Sequence, residues 1–207
     1  MRQLEVLVEE PSAEAALDIL LPRLVPDGAR FAVRNFGSKH KLLKALPERL
    51  AGYARRIQAG EELRILVLID QDSDNCTALK RQLEQTAAER GLTTKSRPDH
   101  GGRFVVVNRI VVEELESWFI GDPEALRGAF PKLPPASRKG IFARPDNQGG
   151  KAWESLHRFL KKHGVYRNSY PKIEAARKIT PHLDPARNRS PSFRQFCVGL
   201  EALVGQG

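Results

Sequence analysis

Two short apolar runs, each closed by acidic residues, constrain this chain more than any other feature. Leu4-Glu5-Val6-Leu7-Val8 leads into Glu9 and Glu10, and Ile65-Leu66-Val67-Leu68-Ile69 leads into Asp70-Gln71-Asp72-Ser73-Asp74. Runs of this length and content read as buried strands. Between them, Ala16, Leu17, Leu20, Leu21 and Leu24 recur at helical spacing. Phe31-Ala32-Val33 reads as a short strand, and Ser38 caps a predicted helix reaching about Ile57, with Pro47 expected to kink or break it. A helix from Asn75 to Arg90, a fourth strand at Phe104-Val105-Val106-Val107 and a helical turn from Glu113 to Phe119 complete the alternation. Strands alternating with helices predict an α/β fold with a mostly parallel sheet flanked by helices. In such sheets ligands bind beyond the carboxyl ends of the strands, where both acidic groups would lie.

Past Pro123 the texture changes. Proline and glycine mark irregular connections, with helices expected near 151–163, 171–180 and 192–203. We therefore expect an α/β core over residues 1–122 and a basic, mainly helical region over 123–207 packed on it. Residues 131–194 hold 15 Lys and Arg against 4 Asp and Glu, whereas residues 1–130 hold 19 against 20. That asymmetry suits a polyanion gripped by one part and processed by the other. Lys151, Lys161, Lys162, Arg167, Lys172 and Arg177 are the candidate nucleic-acid contacts, with Tyr166 and Tyr170 among them; the bland alternative is a solvated surface. Two cysteines make neither a disulfide framework nor a zinc site, and no apolar run reaches the ~20 residues of a membrane span, so the expected location is the cytoplasm without membrane association.

Asp70 and Asp72 lie two apart and share a direction in extended backbone, with Asp74 in the same phase. Clustered carboxylates need a cation or protons, and hard oxygen ligands suit Mg2+ or Mn2+. An EF-hand loop fails, because its sixth position is Asn75 and its twelfth Arg81. A haloacid-dehalogenase-like phosphotransferase fits poorly, because Asp74 stands where Thr or Val is wanted. The structural alternative is that these aspartates only cap the next helix. Glu116, on a helix face with Val112, Phe119 and Ile120, either pairs with a basic residue such as Arg109 or edges the metal site.

Val8-Glu9-Glu10-Pro11-Ser12, with Glu14 beyond, resembles the strand-to-helix glutamate motif of Toprim domains, and Ile69-Asp70-Gln71-Asp72 resembles their Asp-x-Asp motif. Val112-Glu113-Glu114-Leu115-Glu116-Ser117-Trp118-Phe119, Tyr170-Pro171-Lys172 and Ser190-Pro191-Ser192-Phe193 resemble signatures of a Toprim-like bacterial family of unknown function, the DUF4276 group. Glu10 departs from the Toprim pattern, which commonly has Gly there. The resemblance implies a Toprim-like sheet and a nuclease using Mg2+ or Mn2+. Glu9, Asp70 and Asp72 would be catalytic metal ligands, with Asp74 and Glu116 beside them. It also implies an ATPase partner, since the chain has no G-x-x-x-x-G-K-[ST] motif, and a role in anti-phage defence. The other readings are a non-catalytic nucleic-acid-binding or assembly subunit, and a phosphatase or nucleotidyl transferase on a small phosphate ester.

Overall fold

The computed structural model describes residues 3–205. Four strands, β1 (Gln3–Val8), β2 (Arg30–Asn35), β3 (Leu63–Asp70) and β4 (Val106–Val111), form one sheet in the order β2-β1-β3-β4. Every pairing is parallel, with Val8 beside Leu68 and Asp70 beside Val111. After β2 the chain returns past β1 to lay down β3 on its other side. The order therefore reverses between β1 and β3, and the crevice at their carboxyl ends is the topological switch point where such sheets bind ligands.

Alternation along the strands covers both faces. On one face Leu4, Val6, Val8, Leu66 and Leu68 join a core built with α1 (Pro11–Leu24) and the C-terminal helices. On the other, Leu7, Ile65, Val67 and Ile69 pack against α2 (Lys39–Gln58) and α3 (Cys76–Ala88). Ser38 does cap α2, accepting the Lys41 amide, and the helix runs through Pro47 unbroken. Glu5, which interrupts the apolar run of β1, is buried but satisfied by Tyr53 Oη and Arg34 Nε, each at 3.0 Å.

Past β4 come α4 (Glu116–Ile120), α5 (Pro123–Ala129), α6 (Ala152–Lys162), α7 (Lys172–Ile179) and α8 (Pro191–Val204), with 3-10 turns at Gly140–Ala143 and Thr180–His182. The fourth strand lies further along than the apolar run at 104–107 suggests. Asn108 and Arg109 hide it: Asn108 is buried yet donates to Glu84 at 2.9 Å, and Arg109 lies across Gly199 of α8. The Gly121-Asp122-Pro123 stop is also a start, because Asp122 accepts the Ala125 amide and Pro123 opens α5. Trp118 and Phe119 are core anchors, 1% and 0% exposed. Among the described residues no helix is long and apolar enough to cross a membrane.

Candidate metal centre

The carboxyl edge of the sheet gathers acids from three elements. Glu9 leaves β1, and the β-extended Glu10 behind it precedes Pro11 of α1. Asp70 ends β3. Glu9 is 4% exposed and its Oε1 accepts the Asp70 amide at 2.5 Å, which fixes the two acids side by side across the switch point. Burial pushes Glu9 up to about 7, against the lowering pull of that amide and of Lys39. Asp70 is raised well above the carboxylate range, by burial first and then by the charges of Glu9, Glu116, Glu10 and Asp72. Its Oδ2 accepts the Leu115 amide at 3.4 Å.

Glu116, in the first turn of α4, is 1% exposed, and burial raises it to about 7. Of the expected face, Phe119 and Ile120 do lie on α4 with Glu116, but Val112 and the Arg109 pairing do not hold. Val112 precedes α4 and lies off that helix, and Arg109 is on Gly199 instead of on Glu116. Glu116 Oε1 is fully buried, with the Tyr170 hydroxyl beside the carboxylate. Burial, then the Glu116 charge and a hydrogen bond from the phenol to that carboxylate, raise Tyr170 well above its ordinary value.

Asp72 and Asp74 stand outside this buried group, with side chains 49% and 51% exposed. Asp72 adopts a left-handed φ of 51°, as does Glu113 at 62°, and the Asp72 amide donates to Glu113 O at 2.8 Å. Two non-glycine residues in that region, bonded to each other, store strain at the rim of the crevice. Lys39 Nζ reaches Asp72 at 2.6 Å and Asp74 at 2.9 Å. Burial works to lower its pKa, but bonds to both aspartates outweigh that and raise it.

Of the six candidate nucleic-acid contacts, Lys151, Lys161, Lys162, Arg167 and Arg177 are exposed on α6, α7 and the chain around them. Lys172 sits elsewhere. Its Nζ lies 3.4 Å from Glu10 Oε2; burial opposes its charge, but Glu116, Glu10 and Glu114 outweigh that. Tyr166 packs edge-on to Phe130 and Tyr170, so neither tyrosine presents a free ring.

Sequence reasoning missed Lys39, the inward role of Lys172, and Glu114, whose Oε2 accepts the Trp153 amide at 2.9 Å. One signal for Lys39 was present. It opens the helix after β2, and in a parallel sheet that helix starts at the carboxyl edge.

The donors are all oxygen, the set that suits Mg2+ or Mn2+. Glu9, Asp70 and Glu116 are buried carboxylates that no described ammonium or guanidinium bonds, and their charge and hard oxygens suit such an ion. Among the described residues no three carboxylate, imidazole or thiol groups are yet drawn close enough to enclose one. No curated protein and no solved structure matches the chain. The profile of a family described as "Domain of unknown function (DUF4276)" matches residues 8–201, so the chain belongs to the DUF4276 family.

Proposed function

We propose that this protein is a Toprim-like, divalent-metal-dependent nuclease that hydrolyses phosphodiester bonds in DNA or RNA. One observation carries the reading: Glu9 and Asp70 lie buried at the β1/β3 switch point, joined by the Asp70 amide on Glu9 Oε1. Carboxylates so placed raise the free energy of the folded chain unless they are protonated or bind a metal. Mg2+ or Mn2+ bound there supplies an activated water and charge stabilisation for the phosphorane-like transition state. Glu9 and Asp70 hold the ion, with Glu116 and Asp72 beside them. Lys172 turns its ammonium into the same acidic group and faces the phosphate. The exposed Lys and Arg of α6 and α7 grip the nucleic-acid backbone. We place the protein in the cytoplasm and, from the Toprim resemblance, beside an ATPase partner in anti-phage defence.

The test is cleavage of plasmid, single-stranded DNA and tRNA with Mg2+ or Mn2+, with and without the neighbouring gene's product. Metal-dependent cutting lost in Asp70→Asn is the expected result. Salt-sensitive binding without cutting would mark a binding subunit instead. Turnover of a small phosphate ester alone would mark a phosphatase.

A further inference from the structure

We propose that Arg144, Arg189 and Arg194 form a cleft that binds the phosphates of a nucleic-acid backbone without reading its bases. The inference rests on the nucleic-acid reading above and names a place where the backbone is held outside the acidic crevice.

The cleft is open, about 430 Å³ in volume, and lies between the loop around Pro145 and the start of α8 at Pro191. Its three guanidiniums come from separate stretches of chain. Arg144 follows the 3-10 turn at Gly140–Ala143, Arg189 precedes α8, and Arg194 lies near the start of that helix. None of the six lysines and arginines that the sequence offers as nucleic-acid contacts lines it.

Four other arginines pair with acids: Arg34 with Glu5, Arg56 with Glu61, Arg127 with Glu124 and Arg187 with Asp122. Arg144, Arg189 and Arg194 belong to no ion pair among the described residues. The one carboxylate in the cleft, Asp146, is engaged by backbone, its Oδ2 accepting the Ser192 amide at 2.7 Å. The cleft therefore holds three positive charges against one negative. Like charges so gathered repel. A phosphate relieves that repulsion and accepts two parallel N–H bonds from a guanidinium.

The arginines are set in place by the protein itself. Gln148 Nε2 donates to Ile141 O at 2.8 Å and Arg144 O at 2.7 Å, which closes the loop. Arg189 Nη1 donates to Phe142 O at 3.2 Å, and Arg194 Nη2 reaches Arg189 O at 3.4 Å. Preorganisation of this kind lowers the entropy lost on binding. The Gln148 amide also hangs on Glu113 Oε1, and Glu113 O accepts the Asp72 amide, so the loop bearing Arg144 is tied to the rim of the acidic crevice. No aromatic ring lines the cleft. Bases find no stacking surface there, and phosphate contacts alone carry no sequence information.

The experiment is fluorescence anisotropy of labelled single-stranded and duplex DNA of mixed sequence, titrated with the full chain across a salt series. A chelator is present throughout, so that neither metal nor cutting contributes. Arg144→Gln/Arg194→Gln removes two exposed side chains. It should weaken binding roughly tenfold and lower the log–log salt slope by about 0.7–0.9 for each arginine. Arg144→Lys/Arg194→Lys should keep the wild-type slope, because the charge remains. The control Arg55→Gln/Arg81→Gln, which removes exposed arginines of α2 and α3, should bind as wild type does. A wild-type slope in the glutamine variant, or a loss shared by the lysine variant or the control, would overturn the inference while leaving the nuclease reading in place. An oligoglutamate peptide that binds more tightly than either DNA, and is lost in the glutamine variant, would overturn it in favour of an acidic protein segment. A wild type that binds neither DNA would overturn the inference and the nucleic-acid reading together.

Discussion

Glu9 and Glu116 are carboxylates whose folding cost can be read against pH. Each titrates at about 7 in the fold against an ordinary 4.5, chiefly because burial penalises the charged form. The folded chain thus keeps protons that the unfolded chain releases between those values. The contribution of these groups to stability is greatest below about 4.5 and falls as the pH rises to about 7, by on the order of 3 kcal/mol for each. Denaturant unfolding in the presence of a chelator should show this loss between pH 5 and pH 8, and Glu9→Gln/Glu116→Gln should flatten it. Mn2+ added at pH 8 should restore stability to the wild type and do nothing for the double variant. A wild type equally stable at both pH values would contradict the burial argument. At this scale Glu9 and Asp70 were legible in the sequence, because an acid straight after a buried strand has only the carboxyl edge to occupy. Lys39 was not: its partners Asp72 and Asp74 lie more than 30 positions away and meet it only once β2 and β3 flank β1.

Glu116 owes its position to α4, and α4 is held by a clasp to the start of α8. Asn188 Nδ2 donates to Trp118 O at 2.8 Å, the Arg189 amide donates to Gly121 O at 2.8 Å, and Trp118 Nε1 donates to Ser192 Oγ at 3.2 Å. Ser190 caps α8 by accepting the Phe193 amide. Gly121 makes the approach possible. A Cβ there would collide with Asn188 Oδ1 and lie 2.8 Å from Ser190 N, and the backbone nitrogen cannot swing aside. Gly121→Ala should therefore cost about 3 kcal/mol, read as a lower denaturant midpoint with unchanged slope. A variant as stable as wild type would show that the clasp is loose. The clasp also gives Ser190-Pro191-Ser192-Phe193 a physical role, since both serines bond and Phe193 meets Trp118 edge-on at 5.0 Å. Such a role escapes single-sequence reading because its partners lie about 70 positions apart. The apolar strands were legible for the opposite reason. Burial on both faces is a local compositional demand, satisfied within six to eight residues in β1 and β3.

Across the whole molecule the acidic centre and the basic layer are joined by the chain entering α6. Glu113 Oε1 accepts the Gln148 and Gly150 amides at 2.7 and 2.8 Å, and Glu114 takes the Trp153 amide. Two acids of the β4–α4 connection thus fix where α6 starts, and with it the exposed Lys161 and Lys162 on its last turn. The charge imbalance of residues 131–194 should then appear as phosphate contacts at a set distance from the centre. Lys161, Lys162 and Arg177 are exposed and belong to no ion pair among the described residues, so they are free to release counterions on binding. Reversing all three to Glu should weaken nucleic-acid binding and flatten its salt dependence, each lost contact lowering the log–log slope by about 0.7–0.9. Mn2+ binding should be unchanged, because the inner acids share no partner with these side chains. Lys172 separates surface grip from site chemistry. As a member of the acidic group, its change to Met should lower the cleavage rate at saturating substrate while leaving the salt slope within error. Should Lys172→Met flatten the slope as one surface lysine does, its place is on the nucleic-acid backbone. Should the triple reversal bind as tightly as wild type at every salt concentration, the basic layer is only a solvated surface.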